Sequence, residues 1–446
     1  MRLYKIIILW CILCSCAFAS YLEGPFVNNV TSKSVIIWWK SYPPVAGRVF
    51  LENRVYKKDW PPFEIHINNL KPDTLYRYYV VFENGKRCPK HGYYKFQTAP
   101  KKDRPFKFAV IADSRGPFYL IPVREDILKA IFDDAKKRHV KFICFLGDMV
   151  YGYAHKETTL RKELRLWKDT ISDIMHEIPV YTTMGNHDVV MHKAIDNLYG
   201  EYLLDGVQEK QGILTSEEIF ADEFVNPEDS PKPETPSSPS YRETSYSFNF
   251  GASHFVFLNT DYWMACPKKN MFNDTIKLGF FKKGNFPGRI MDNQIIWLEK
   301  DLKKARDLGI KHIFIFGHQP IFPISEKDII DYSNHASDKL KNDIKYRRKK
   351  IWSIFTKYNV DAAFFGHEHN YSRTIIKHTW QIITGGAGAP LYDNLRKDLP
   401  WSNNVKVFRK RYHYCVITVK GDKVFINVYG LKKDMKGFEL IDHASI

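Results

Sequence analysis

Five short motifs carry metal-binding side chains, and each follows directly on an apolar run. They are FAVIADSR with Asp113, ICFLGDMVY with Asp148 and Tyr151, VYTTMGNHD with Asn186 and His187, IFIFGHQP with His318, and AAFFGHEHN with His367 and His369. Carboxylate, amide and phenol oxygens mixed with imidazoles suit two adjacent divalent or trivalent cations rather than one structural zinc. Two cations roughly 3.5–4 Å apart need a bridging carboxylate and terminal ligands on either side. Asp148 is the natural bridge, because a carboxylate has two oxygens to share. Asp113 supplies a second anionic ligand, Asn186 a neutral carbonyl oxygen and His318 a nitrogen. His367 and His369 are two residues apart, so in extended backbone they point the same way. The set reads as a dinuclear hydrolase centre suited to phosphate esters.

Strand and helix patterns place these motifs. FKFAVIAD reads as a strand, EDILKAIFDDAKKR as a helix with Ile127, Ala130, Ile131 and Ala135 at helical spacing, and VKFICFLGD as the next strand. The alternation recurs through LRLWKDTISDIMHE and IPVYTTMGN, NQIIWLEKDLKKARDLG and KHIFIFG, and KKIWSIFTKYN and VDAAFFG. Repeated strand–helix units predict an α/β domain with largely parallel strands. Every candidate ligand then follows the C-terminal end of a strand, where open α/β sheets place their sites. YSFNF with HFVFLNTD, and YCVITVKGDKVFINVYG turning at Gly421-Asp422, read as antiparallel hairpins. These extra strands predict two sheets packed face to face with helices outside, an α/β/β/α sandwich.

Residues 20–100 read differently. VIIWWK, RVFLEN, FEIHINNL, YRYYVVFENG and GYYKFQT are short β-type runs broken by Pro, Gly and Asn. Leu70-Lys71-Pro72-Asp73-Thr74-Leu75-Tyr76 resembles the tyrosine corner of a fibronectin type III-like sandwich. Without a His or acidic cluster, this unit is expected to be a scaffold beside a catalytic domain spanning 101–446, the two joined by the charged Pro100–Pro105 segment. NPEDSPKPETPSSPS, residues 226–240, holds five prolines and reads as a mobile loop with no part in the core.

The 446-residue chain is 44% apolar and 26% charged, ordinary for a globular protein. Lys and Arg outnumber Asp and Glu by 67 to 50, but no continuous basic block or nucleic-acid motif stands out. Most of that charge reads as solvated lysine, and nucleic acid is not an expected partner. Arg2 and Lys5 precede IIILWCILC and an Ala17-Phe18-Ala19 cleavage site, the pattern of a secretory signal peptide over residues 1–19. Leu13-Cys14-Ser15-Cys16 loosely resembles a lipoprotein box, which would instead place a lipid anchor on Cys16. No later stretch approaches the roughly 18 apolar residues of a spanning helix. The expected location is therefore secreted, periplasmic or cell-surface. Cys144 reads as a core hydrophobe, and spacing alone does not pair Cys88 with Cys266. Asn29, Asn273 and Asn370 head glycosylation sequons. Oligomeric state is not legible.

Taken together, Asp113, Gly147-Asp148-x-x-Tyr151, Gly185-Asn186-His187, His318 and Gly366-His367-x-His369 resemble the calcineurin-like metallophosphoesterases. Within them the set resembles the purple acid phosphatases. The tyrosine three residues after Asp148, the β-sandwich ahead of the catalytic domain and the Asn370-Tyr371-x-Arg373-Thr374 tail point to that branch, as does Thr384–Tyr392. The resemblance implies a secreted phosphatase that hydrolyses phosphate monoesters with hydroxide generated at the metal pair. Asp113, Asp148, Tyr151 and His369 would hold Fe(III), and Asp148, Asn186, His318 and His367 would hold Fe(II), Zn(II) or Mn(II). His187 would be the catalytic histidine near the leaving group. Other branches carry a ligating His where this chain has Arg115, which cannot ligate; the resemblance therefore implies Tyr151 as the replacement donor, with a packed aromatic as the alternative. Arg115 is expected to contact a phosphate oxygen, with pairing to an acidic neighbour as the alternative. Some residues depart from the family pattern. The first motif is Ala112-Asp113-Ser114-Arg115, the third ends in Asp188, and PIFPISEK follows His318 with only His335 nearby. The same motifs also admit a phosphodiesterase. A reading of another class is an exported binding or adhesion protein with a vestigial metal site.

Overall fold

The computed structural model describes residues 20–101, 104–193, 202–204, 214–264, 285–325 and 338–446. Residues 1–19, read above as a signal peptide and including Cys16, and also Cys266, Asn273 and His335, lie outside the described residues.

Two sheets form the centre. The first has six strands in the order Val180–Thr182, Ile143–Phe145, Phe106–Ile111, His413–Lys420, Lys423–Leu431, Phe438–Ser445. Its first three strands are parallel and the rest antiparallel, with Val110 paired to Cys144 on one side and Cys415 on the other. The second has seven strands in the order Tyr246–Phe250, Ser253–Phe257, His312–Phe316, Ala362–Phe365, Thr379–Thr384, Tyr371–Ile376, Val405–Arg409. Ser253–Phe257, His312–Phe316, Ala362–Phe365 and Thr379–Thr384 run parallel, flanked by antiparallel strands.

Period-two alternation sorts the side chains into layers. Phe108 and Val110 point between the sheets, where they meet Phe142, Phe255, Phe314, Phe316, Phe364 and Ile417. Ala109 and Ile111 face outward, against Ile127, Ile131 and Trp167 of the helices Glu125–Lys137 and Glu157–Thr170. On the far side Val256, Ile315 and Phe365 pack on Leu298, Leu302, Trp352 and Phe355 of the helices Asp292–Asp307 and Asp338–Lys357. Both sheets are buried on both faces, giving the expected α/β/β/α order. Each sheet contributes ligand-bearing strand ends to the same edge.

Residues 21–97 form two antiparallel sheets around Ile37, Trp39, Val49, Tyr78 and Val80. The tyrosine corner is present, with Lys71 N donating to the Tyr76 hydroxyl at 2.8 Å. This sandwich is fastened to the helices of the first sheet. Phe26, Ile36 and Trp38 share a core with Ile174, Phe224 and Val225. Lys168 is fully buried between Glu223 at 2.7 Å and Glu23 at 2.5 Å.

The 226–240 segment corrects its sequence reading. It has no regular structure, yet it is tied into the core. Asn226 is fully buried; its amide nitrogen donates to Thr182 Oγ1 and to the Glu243 carbonyl, each at 3.0 Å, and its Oδ1 accepts from the Tyr246 hydroxyl at 3.0 Å. Glu234 accepts from Asn293 N at 3.0 Å and Gln294 N at 3.3 Å, satisfying open amides at the start of the Asp292–Asp307 helix. Proline excludes helix and sheet but not hydrogen bonding by the side chains between the prolines. Asn370 is likewise fully buried and donates to Ser325 Oγ at 2.7 Å, so its sequon cannot carry a glycan in this fold. Among the described residues Cys144 and Cys415 are buried thiols and Cys88 is half-buried, none of them in a disulfide with another described cysteine. Among the described residues no helix is long and apolar enough to cross a membrane.

Candidate metal centre

Asp113, Asp148, Asn186, His318 and His367 each lie within four residues of the end of a parallel strand, at one edge of both sheets. The backbone there is bent hard. Asp113, Asp148 and His367 take left-handed φ values of 64°, 51° and 68°. Non-glycine residues hold that region only where the surroundings impose it, at roughly 1–3 kcal/mol each. The motif glycines allow the crowding: a Cβ on Gly185 would lie 2.3 Å from Asp148 Oδ1, and one on Gly366 2.4 Å from Asp113 Oδ2.

Carboxylate oxygens of Asp113 and Asp148 and a ring nitrogen of His318 lie within 4.8 Å of one another, all buried. His318 Nδ1 faces the Leu146 carbonyl at 2.7 Å. A carbonyl only accepts, so this nitrogen carries the proton. Burial pulls the His318 pKa down to about 4, leaving the ring neutral and Nε2 bare. That bare nitrogen stands 3.2 Å from Asp148 Oδ1 and 3.1 Å from Asn186 Oδ1. Three acceptors thus face one another with no proton among them, which is a cradle for a cation. His369 repeats the arrangement. Its Nδ1 is held by the Pro390 carbonyl at 2.7 Å, burial lowers its pKa to about 3, and Nε2 points at Asp113 Oδ1 from 3.6 Å. Burial and the neighbouring negative charge of Asp148 push Asp113 well above the usual carboxylate range. Burial alone would raise Asp148 too, but His318, His187 and Arg115 together hold it below that range. A negative pair crowded this way is relieved by positive charge between its members. The donor set therefore fits a pair of hard cations.

The other expected residues gather around this core. Asn186 Oδ1 also lies 2.8 Å from His367 Nδ1. His187 N donates to Asp148 Oδ1 at 2.9 Å. Its Nδ1 is held by the Tyr151 carbonyl at 2.6 Å, which leaves Nε2 facing Asp148 Oδ2 from 3.9 Å. Burial brings His187 down to about 4. Tyr151 is half-buried, fixed by its N–H to the Pro122 carbonyl at 2.7 Å, with its ring centroid 5.9 Å from that of His187. Arg115 takes the acidic partner named as the alternative, its Nε 3.5 Å from Asp148 Oδ2. That Nε is buried and has no hydrogen-bond partner among the described residues.

Three further residues shape the site without having been singled out for a role. Asp188, fully buried, accepts from Met149 N at 3.0 Å and Gly185 N at 2.9 Å, joining the second and third motif loops. Glu368, also fully buried, accepts from Ile324 N at 2.8 Å and Ser325 N at 2.7 Å, joining the last motif to the loop after His318. Both are acidic residues inside motifs of ligands, which was a usable signal. Tyr153 receives the Asn186 amide at 2.5 Å, and nothing in its spacing announced that contact.

Comparison with known proteins agrees with this geometry. Residues 106–371 match the calcineurin-like phosphoesterase family. Acid phosphatase type 7 of Mus musculus is 27% identical over 153 residues, 34% of this chain and 30% of the relative. The chain thus spans less than a third of that curated relative's length. An uncharacterized Mycobacterium tuberculosis protein is 22% identical over 379 residues, 79% of this chain and 61% of the relative. In fold, the chain is similar to a purple acid phosphatase from yellow lupin seeds (Lupinus luteus), with a TM-score of 0.64 at 15% identity over 96% of this chain and 74% of that one. It is also similar to PhoD, with a TM-score of 0.61 at 14% identity over 94% of this chain and 91% of that one. A matched stretch that begins at the first strand of the catalytic sheets and runs past His369 takes in every strand end that bears a candidate ligand, and on that ground the chain belongs to the calcineurin-like phosphoesterase family.

Proposed function

We propose that this phosphoesterase is an exported, binuclear, metal-dependent phosphatase of purple acid phosphatase type, acting on phosphate monoesters. The observation that carries the reading is the bare His318 Nε2 facing Asp148 and Asn186 oxygens with no proton between them. Asp113, Asp148, Tyr151 and His369 would hold Fe(III), and Asp148, Asn186, His318 and His367 would hold Fe(II), Zn(II) or Mn(II). When bound, the cations supply Lewis acidity, neutralising phosphoryl oxygens and making water nucleophilic near neutral pH. The chain's own groups do the rest. Asp148, reached by groups from three other motifs, would be shared by the two cations. Arg115, whose Nε pairs with the same carboxylate but makes no hydrogen bond among the described residues, is placed to take a phosphate oxygen. His187, anchored through Nδ1, turns a bare Nε2 to the site, where it can take up a proton beside the phosphate and leaving oxygen. The residue 20–100 sandwich acts as scaffold, and residues 1–19 as the export leader.

The deciding experiment compares an aryl monophosphate with a bis-aryl phosphate as substrates of the metal-loaded chain. The proposal expects the monoester to turn over with the higher kcat/KM. A preference for the diester would make the protein a phosphodiesterase. No turnover of either would leave a binding protein with a vestigial centre. Export is checked separately, by a secreted chain whose mass begins at Ser20.

A further inference from the structure

Asn186 can present either end of its amide, because the oxygen and nitrogen ends are nearly the same size and only their partners distinguish them. As a ligand it must present the oxygen. In this structure Oδ1 lies 3.1 Å from His318 Nε2 and 2.8 Å from His367 Nδ1, while Nδ2 donates to the Tyr153 hydroxyl at 2.5 Å. Tyr153 is itself held in place. Its N–H donates to the His187 carbonyl at 3.1 Å, and its ring centroid lies 4.4 Å from that of His187. The preceding Gly152 donates to Glu163 Oε2 at 2.9 Å and runs so close to the third motif that a Cβ would stand 1.4 Å from the His187 carbonyl oxygen. The Tyr153 φ of 45° is one the side chain adopts only under such constraint.

We propose that Tyr153 is a positioning residue of the metal centre. Its phenol oxygen locks the Asn186 amide with Oδ1 toward the divalent site, and its ring holds the His187 imidazole in place. Tyr151 and Tyr153 are then two tyrosines of one loop with different tasks, the first assigned to a cation and the second to a ligand. The inference rests on Asn186 being a ligand, as proposed above. Loss of a partner that orients a ligand typically weakens metal affinity about 10–100-fold.

The test measures Mn(II) affinity of the chelator-stripped full chain by competition with a chromophoric chelator. It uses four proteins: wild type, Tyr153→Phe, Asn186→Ala and the double variant. Tyr153→Phe keeps the ring and removes one oxygen, so its unfolding midpoint should match the wild type. Mn(II) affinity should fall at least about tenfold in Tyr153→Phe. In the Asn186→Ala background the same change should cause no further loss, because no amide remains to orient. A structural disturbance would instead lower affinity in both backgrounds. Wild-type affinity in Tyr153→Phe, or an equal loss with and without Asn186, would overturn this inference alone. A wild-type chain that takes up none of Mn(II), Zn(II) and Fe(II) would overturn the dinuclear reading and this inference together.

Discussion

Asp148 is the residue on which the site turns, since Arg115, His187 and His318 all converge on its two oxygens. Asp148→Asn keeps the shape but removes the charge that balances two cations. It should lose at least one metal by elemental analysis and lower monoester turnover by at least on the order of 100-fold, the upper range for disturbing a ligand's partner. Full metal content with near-normal turnover would remove Asp148 from the bridge. Tyr151 supports a spectroscopic prediction. A phenolate on Fe(III) gives a purple or pink protein, and Tyr151→Phe should bleach it while the fold persists and turnover falls less than in Asp148→Asn. A colourless native protein full of manganese or zinc would keep the phosphoesterase but take it out of the purple branch in metal usage. The candidate ligands were legible because each lies in a short motif at a strand end, where residue type and position carry the message. Arg115 was only half legible: that it could not ligate followed from its chemistry, whereas its contact with Asp148 depends on how two loops fold over each other. Tyr153 was missed for the same reason.

At the scale of elements, helices were the easiest to read. Ile127, Ala130, Ile131 and Ala135 at helical spacing predict the Glu125–Lys137 helix; in the structure Ile127, Ile131 and Ala135 are fully buried and Ala130 is half-buried. The proline-rich 226–240 segment was misread because composition reports the loss of regular structure and says nothing about anchoring. Glu234 is the consequence. Met291, which caps the Asp292–Asp307 helix, offers no side-chain hydrogen bond, so a carboxylate from far along the chain closes that terminus. Glu234→Ala should cost about 1–2 kcal/mol in chemical denaturation, as for loss of an N-terminal cap. An unchanged midpoint would return the segment to the free loop first expected. Pairing partners were the least legible feature. The hairpin turning at Gly421-Asp422 was read correctly, but not that His413–Lys420 lies beside Phe106–Ile111, because that contact spans some three hundred residues of sequence.

At the scale of the molecule, the sandwich and the catalytic sheets meet through buried charge. Lys168 lies between Glu23 and Glu223 with no exposed surface, so Lys168→Met would leave two carboxylates without their shared cation. Arg165 still serves Glu23, and Lys40 and Arg161 still serve Glu223, which puts the expected loss near about 3 kcal/mol, the low end for a broken buried pair. Denaturant unfolding of the variant checks this, and a loss under about 1 kcal/mol would show the remaining partners to be sufficient. Glu243 sets a pH dependence. Burial raises its carboxyl to about 8, well above the roughly 4.3 of an unfolded glutamate. Between those values the unfolded chain has released a proton that the folded chain still holds, so this group lowers stability as pH rises across that window. Glu243→Gln should therefore stabilise the protein at pH 8 and much less at pH 5; equal effects at both would refute the assignment. The central claim, that this edge of the two sheets holds a working pair of cations, is tested most directly by metal stoichiometry measured alongside turnover. The full chain should carry two metal ions per polypeptide, lose monoester hydrolysis when a chelator removes them, and regain it on reloading. Hydrolysis that persists at full rate in the stripped chain, or is restored by a single equivalent of metal, would contradict the account.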